Sequence, residues 1–384
     1  MAYAACPRVV LGATVIDDVV LLSGLPSLLA RSICSEVLRS DGRARVFALA
    51  RPQSVDEVNE YVRELPGDQA SRLRILIGDA AAIDFGLSGT EYKSLAREVT
   101  RVHHCAQITY LGADRDTAVR VNVGGAREAL EFAATCEKLD CLVFHSTAHV
   151  AGDRRGVVLE DELQAGQSFR TVVEETKARA EKMVRNAMHR IPIAVMRPPA
   201  IVGDSRTGEI DRLDGLYLLF LLVVSSPADL ALPLLGRADQ PLHLVPIDWV
   251  ARAATAIGRD RRARGRTFHL VDSQPLAARR VVELVARSAG RRAPRSIPAN
   301  LANMLLRAPG LDRVAKSSRA LVETITTRVS YDARNADELL ASLGVEPCPP
   351  LETYVDKLVE YMHERTGDRR VPKTLSAPLD VSQG

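Results

Sequence analysis

The sequence predicts an α/β fold, a doubly wound parallel sheet carrying a smaller second subdomain. Three observations predict it. Short apolar runs alternate with amphipathic helical stretches through the first half of the chain, the signature of βαβ units. Aromatic residues make up only 4% of the chain while hydrophobic residues make up 46%, which favours aliphatic packing of helices on a sheet over a sandwich of aromatic pairs. At 384 residues there is material for one large core, or for a core domain and a smaller one.

Taken in order, Val19 to Ser23 (VVLLS) reads as a buried strand and Leu28 to Arg39 as a helix. Arg45 to Ala50 (RVFALA) is a second strand, followed by a polar helix from Val55 to Leu65. Leu73 to Ile77 (LRILI) makes a third strand that ends in Gly78 and Asp79, and Val102 to Ala106 a shorter fourth. A long helix over Ala118 to Cys136, a strand over Cys141 to His145, a helix over Phe169 to Met188 and a strand over Ile193 to Met196 complete the alternation. Right-handed crossovers then make a doubly wound sheet the economical arrangement, with ligands expected at the carboxyl ends of its strands. Beyond Gly203 the pattern loosens. Strand-like segments recur at His243 to Val245 and Thr267 to Val271, and helices are expected at Ala277 to Ser288, Leu301 to Leu306 and Leu351 to His363. These readings divide the chain into a dinucleotide-type domain over 16–205, to which segments near 243–271 return, and a subdomain over 206–242 and 276–366. The polar end, 367–384, reads as a disordered tail.

Composition narrows the function classes. The formal charge of +3 is small for this length, and the basic stretches Arg261 to Arg266 and Arg291 to Arg295 read as solvated loops and helix ends, so no nucleic-acid partner is indicated. The six cysteines are scattered without a CxxC pair or metal-ligand spacing, so no metal is expected. Met1 to Ala5 lacks the form of a secretory signal, which points to a cytoplasmic location. The apolar run Gly215 to Val224 is about half of what a membrane-spanning helix needs, and no integral membrane segment is expected.

Several markers recur in a fixed order: Arg51 after the second strand, Gly78 and Asp79 after the third, Asn122 in RVNVGGA, STAHVAG from Ser146, Thr176 and Lys177 in EETKARAE, and RPPAIVGDSRTGE from Arg197. With them the chain resembles the extended short-chain dehydrogenase/reductase family, most closely its branch of fatty acyl-CoA reductases and carrier-protein thioester reductases. The resemblance runs from about Val19 to Met362. It implies a Rossmann fold of the extended type with a substrate-side subdomain, NADP as cofactor, and a small-molecule or carrier-bound acyl substrate. It also implies a homodimer paired through helices flanking the sheet.

Residue by residue, the resemblance assigns Gly24, Ser27, Arg51, Asp79 and Lys177 to cofactor binding, with Arg51 as the cation for a 2′-phosphate and Asp79 at the adenine edge. It assigns Thr147 to the substrate carbonyl, Lys177 to the ribose, and Asn122 to a proton relay. Two positions depart from the family pattern. The phosphate loop TGxxGxxG is matched by Ser23, Gly24, Leu25, Pro26, Ser27, Leu28, Leu29 and Ala30, so Ser27 replaces the glycine that lets the backbone approach the pyrophosphate. A serine there narrows the gap or donates to phosphate; alternatively the segment is only a packed turn. In VVEETK, Val173 replaces the tyrosine of YxxxK, and valine cannot move a proton.

His149 is a candidate substitute acid, sharing strand parity with Thr147 if the chain stays extended there. The plainer alternatives stand beside these roles: Asn122, Thr147 and His149 as hydrogen-bonded fold support, Arg51 as a surface arginine, and His103, His104 and His145 as structural histidines. Three functional readings follow: a pseudoenzyme that keeps the fold and a pocket with lost or strongly reduced hydride transfer; an active NADPH-dependent thioester or carbonyl reductase with another proton donor; or a non-redox reaction on a carrier-bound acyl intermediate. Ser205, Arg206 and Thr207 are assigned by the resemblance to the wall of the acyl or pantetheine site.

Overall fold

The computed structural model describes residues 18–110, 112–210, 212, 216–225, 233–235, 239–292, 295–297 and 328–367. Thirteen strands are found among them: β1 Val19–Leu25, β2 Arg45–Ala50, β3 Leu73–Ile77, β4 Arg101–His104, β5 Cys141–His145, β6 Gly156–Val158, β7 Ile193–Arg197, β8 Ala200–Val202, β9 Pro233–Leu235, β10 Leu244–Pro246, β11 Arg266–His269, β12 Arg295–Ile297 and β13 Val329–Tyr331. Seven of these form one sheet in the order β3-β2-β1-β4-β5-β7-β11, every pair parallel. The chain therefore reverses its direction of winding between β1 and β4, and the crevice of a doubly wound fold opens there.

The strand alternation explains how both faces are covered. Val20 and Leu22 pack with the Leu28–Ser40 and Ile247–Arg259 helices, whereas Val19 and Leu21 point to the face covered by the Gly89–Glu98, Gly125–Thr135 and Val172–Ala187 helices. A third apolar cluster joins the Leu216–Ser225, Ala278–Ser288 and Val355–Gly367 helices, away from the main sheet. The apolar run that includes Leu216–Ser225 is thus a ten-residue helix that buries Tyr217, Phe220, Val223 and Val224, and among the described residues no helix is long and apolar enough to cross a membrane.

Several boundaries differ from the sequence reading for local reasons. The helix expected over Ala118 to Cys136 is divided, with a π-helical segment Val119–Gly124 ahead of the α-helix Gly125–Thr135. The helix expected from Phe169 begins at Val172 because the Thr171 hydroxyl accepts the Glu174 N–H at 3.1 Å and caps it. The segment expected as a strand from His243 enters a small two-stranded sheet with β8, while the one expected from Thr267 becomes β11 at the edge of the main sheet. The expected helix at Leu301 to Leu306, the N-terminal residues 1–17 and the tail 368–384 lie outside the described residues. The Ile247–Arg259 helix was absent from the sequence reading, although Ile247, Val250, Ala251, Ala254 and Ile257 have helical spacing. Gly258 lets it lie close to the sheet: a Cβ there would sit 2.6 Å from a Val143 methyl.

Candidate functional site

The crevice begins at the end of β1. Gly24 has φ +104°, and a Cβ on it would lie 2.7 Å from the Cys105 carbonyl carbon, so the turn from β1 across the end of β4 requires glycine. Beside it, the Ser23 hydroxyl oxygen accepts the N–H groups of Cys105 and Ala106, both at 3.2 Å. With its lone pairs so occupied, Ser23 gives its proton to His104 Nδ1 at 3.0 Å, which places the His104 proton on Nε2. Burial, aided by Lys177, pushes the His104 pKa down to about 4, so this imidazole is neutral. Sequence reasoning gave Ser23 no such role.

Ser27 is the N-cap of the Leu28–Ser40 helix, and its hydroxyl oxygen accepts the Ala30 N–H at 3.4 Å. One of the helix N–H groups that would face a phosphate is thus already engaged, and the side chain stands where the family pattern has none. Arg51 follows β2, and among the described residues its guanidinium has no hydrogen-bond or ion-pair partner. Asp79 follows β3; one carboxylate oxygen accepts the Ala81 N–H at 2.9 Å and the other pairs with Arg120 at 3.3 Å. The turn and the unpaired arginine fit a phosphate-bearing dinucleotide, whereas Ser27 fits its pyrophosphate poorly.

At the ends of β4 and β5 Asn122 and Lys177 line a small cavity with Gln107 and Ser146, whereas Thr147 is not among its lining residues. Asn122 is buried in the π-helical segment. Its amide accepts the Ile108 N–H at 2.7 Å and donates to the Ile108 carbonyl at 3.2 Å and to the Thr176 hydroxyl at 2.9 Å. Its hydrogen-bonding capacity is largely spent on holding the loop after β4 to the helix that carries Lys177. Thr147 donates to the Pro198 carbonyl at 3.2 Å and accepts the His149 N–H at 3.2 Å.

Lys177 is buried, with its ammonium donating to the Gln107 side-chain oxygen and to the Ser146 carbonyl at 3.3 Å. One turn further on, Glu181 is taken by the buried Arg197 at 3.0 Å and by the Ser146 hydroxyl at 2.5 Å, so it forms no ion pair with Lys177. Burial without a carboxylate at hydrogen-bond distance lowers the Lys177 pKa to about 7, although Glu181 and Cys105 partly oppose the shift. Val173 lies half-buried in the first turn of the same helix.

The extended chain assumed for His149 does not occur. Ala148–Ala151 is a 3₁₀ turn capped by Thr147, so strand parity does not relate the two side chains. Burial, with Arg170, His243 and Lys177 nearby, pushes the His149 pKa down to about 4. The ring is neutral at physiological pH and is a far weaker acid than the imidazolium that the sequence reading relied on. Ser205 is held by Asp248 through its N–H and hydroxyl, both at 2.9 Å. Asp204 in turn accepts the N–H groups of Arg206 and Thr207 at 2.8 and 3.1 Å, so this loop is internally braced.

Residues 22–254 match the family model described as male sterility protein, a family of NAD-binding domains, and the match takes in the turn at Gly24, the Asn122 segment and Lys177. The chain belongs to the male sterility protein family. Among curated relatives it is 21% identical over 281 residues to the fatty acyl-CoA reductase wat of Drosophila melanogaster, covering 64% of this chain and 54% of that one. It is 25% identical over 268 residues to a linear gramicidin synthase protein of Brevibacillus parabrevis, covering 66% of this chain and 5% of that one. The chain therefore spans about half the length of the first relative and a small part of the second.

Among solved structures, the terminal R domain from the myxalamid PKS-NRPS biosynthetic pathway superposes with a TM-score of 0.79 at 23% identity, over 92% of both chains. UDP-glucuronic acid 4-epimerase from Bacillus cereus in complex with NAD gives 0.66 at 18%, over 91% of this chain and 98% of that one. These likenesses establish the extended Rossmann fold. In this male sterility protein family member, Gln107 contacts Lys177 and was missed by the sequence reading, whereas Thr176, already a marker there, holds the Asn122 amide. Gln107 stands 70 positions from the lysine it contacts, and nothing local to it marks that pairing.

Proposed function

We propose that the chain is an NADP-linked protein of the acyl-thioester reductase type in which hydride transfer is strongly reduced and the binding of a carrier-bound acyl group is the larger part of its role. The observation that carries this reading is the first turn of the Val172–Ala187 helix, where Val173 stands four residues before a buried Lys177. A positioned acid is worth about 10² to 10⁴ in rate, and valine offers none. Ser27 supports the same reading from the other end of the crevice, because its side chain occupies the approach that a pyrophosphate would use. Arg51 favours NADP over NAD, being a cation after β2 without a protein partner among the described residues. The relatives include parts of peptide synthetases, which motivates a carrier-bound rather than a free acyl substrate.

The test is a fluorescence titration of the purified protein with NADPH and NADH, repeated on Arg51→Ala. NADPH should bind more tightly than NADH, and the substitution should weaken NADPH about tenfold, the loss of roughly one charge-assisted contact, while leaving NADH unchanged. No binding of either at millimolar concentration would remove the dinucleotide from the reading.

A further inference from the structure

We propose that Gln107 is a plug: its side chain seals the buried ammonium of Lys177 from the crevice, so that a ligand group bound for Lys177 must first displace it. The seal stands on geometry, and only the naming of NADPH as the excluded ligand rests on the reading given above. Lys177 is 5% exposed, whereas Gln107, whose side-chain oxygen accepts its ammonium, is half-buried. Gln107 therefore meets Lys177 on one side and solvent on the other. The cavity the two share with His104, Asn122 and Ser146 measures about 10 Å³, the space of a single water. A sugar or an acyl group has no room beside Lys177 while the Gln107 side chain stands there.

The walls of this cavity differ in what holds them. His104 is fixed by Ser23 at 3.0 Å and by stacking on Phe144 with ring centroids 5.8 Å apart. The Ser146 hydroxyl donates to Glu181 at 2.5 Å, and its carbonyl, the second acceptor of Lys177, is backbone at the end of β5. The Asn122 amide is bonded to Ile108 and Thr176. Gln107 has a single side-chain hydrogen bond among the described residues, the one to Lys177.

Its backbone need not move for the plug to open, because Ile108, the next residue, stays tied to Asn122 through both its N–H and its carbonyl. Rotation of the Gln107 side chain alone breaks one bond, uncovers the ammonium and widens the cavity. A ligand oxygen that accepts the same N–H then replaces the bond that was lost. The residue type suits this exchange. A carboxylate at this position would lock onto Lys177 as a buried ion pair that is costly to break, and alanine would leave the ammonium open, whereas a neutral amide satisfies Lys177 and can leave it.

Reductive methylation with formaldehyde and borohydride, followed residue by residue in the mass spectrometer, reads the seal without cofactor or substrate. Lys182, exposed on the same helix, is the internal reference, and wild-type Lys177 should label far more slowly than it. Gln107→Ala should speed the labelling of Lys177 about tenfold at an unchanged urea midpoint, the worth of one hydrogen bond to a charged group. Gln107→Asn keeps the amide but falls short of the ammonium and should do the same, so the result does not depend on one variant folding. NADPH affinity, by fluorescence titration, should rise about tenfold in both variants. Lys177 labelled as fast as Lys182 in the wild type, or equally slowly in all three proteins, would overturn the plug. Faster labelling in variants that bind no NADPH would uphold the plug and remove the dinucleotide reading. NADPH bound with the wild-type affinity in both variants would overturn the claim that it must displace Gln107 and leave the dinucleotide reading standing.

Discussion

At the scale of single residues, Gly24 and Ser27 stand three positions apart and their substitutions have opposite consequences. Gly24 combines a positive φ with a close approach to the Cys105 backbone, so Gly24→Ala meets both a conformational and a steric penalty. We expect it to cost about 3 kcal/mol or more, read as a lowered urea midpoint. Ser27 contributes only a long cap, and glycine at an N-cap costs a few tenths of a kcal/mol relative to serine. Ser27→Gly should therefore leave stability almost unchanged while freeing the Ala30 N–H and the space beside it. NADPH affinity should rise about tenfold, about what one restored N–H to phosphate contact contributes. An unchanged affinity in the same fluorescence titration would mean that the serine does not obstruct the pyrophosphate.

At the scale of elements, Glu160 shows how much the assembly depends on contacts between distant segments. Its buried carboxylate accepts the N–H groups of His269 at 2.8 Å, Asn335 at 2.6 Å and Ala336 at 3.2 Å, tying the end of β11 to the first turn of the Arg334–Ser342 helix. Glu160→Ala leaves these donors unmatched at a cost of about 1–3 kcal/mol for each one that water cannot reach. Faster hydrogen exchange confined to residues 329–342 would locate the damage there, and protection equal to wild type would show that the carboxylate is dispensable.

None of that was legible in the sequence, because Glu160 and its partners are more than 100 positions apart and no local pattern marks a buried carboxylate. The six main strands of the first half were legible, since a parallel sheet covered on both faces needs continuous apolar runs such as VVLLS and RVFALA. The replacement of tyrosine by Val173 was also legible, because it falls at a fixed spacing from Lys177. The 3₁₀ turn at Ala148–Ala151 was not, since it follows from the Thr147 hydroxyl accepting the His149 N–H, a choice that an extended reading does not anticipate.

At the scale of the whole molecule, the buried histidines set how stability depends on pH. His104, His145 and His269 are 3%, 2% and 1% exposed, and their pKa values are pushed down to about 4, 3 and 4, mainly by burial. In the unfolded chain they titrate near the ordinary histidine value, so between that value and pH 4 the unfolded state binds more protons than the folded one. Stability is then lost as pH falls through this window, by ~2 kcal/mol for each of the three at pH 5. Glu160 works in the opposite sense: its pKa is raised to about 7 by burial, so its protonation below that pH favours the folded state. That effect is also ~2 kcal/mol at pH 5, one group against three, and the histidines prevail. On the alkaline side, the lowered pKa of Lys177 makes stability rise between about pH 7 and its unfolded value. The urea midpoint should therefore fall steeply from pH 7 to pH 5, with net proton uptake on unfolding, and rise modestly from pH 7 to about pH 8, beyond which the thiols of Cys34, Cys105, Cys136, Cys141 and Cys348, held protonated by burial, work against it. Lys177→Arg should abolish the alkaline rise and leave the acid limb intact; a rise that persists in the variant would assign it to another group and remove the case for a neutral amine at the heart of the site.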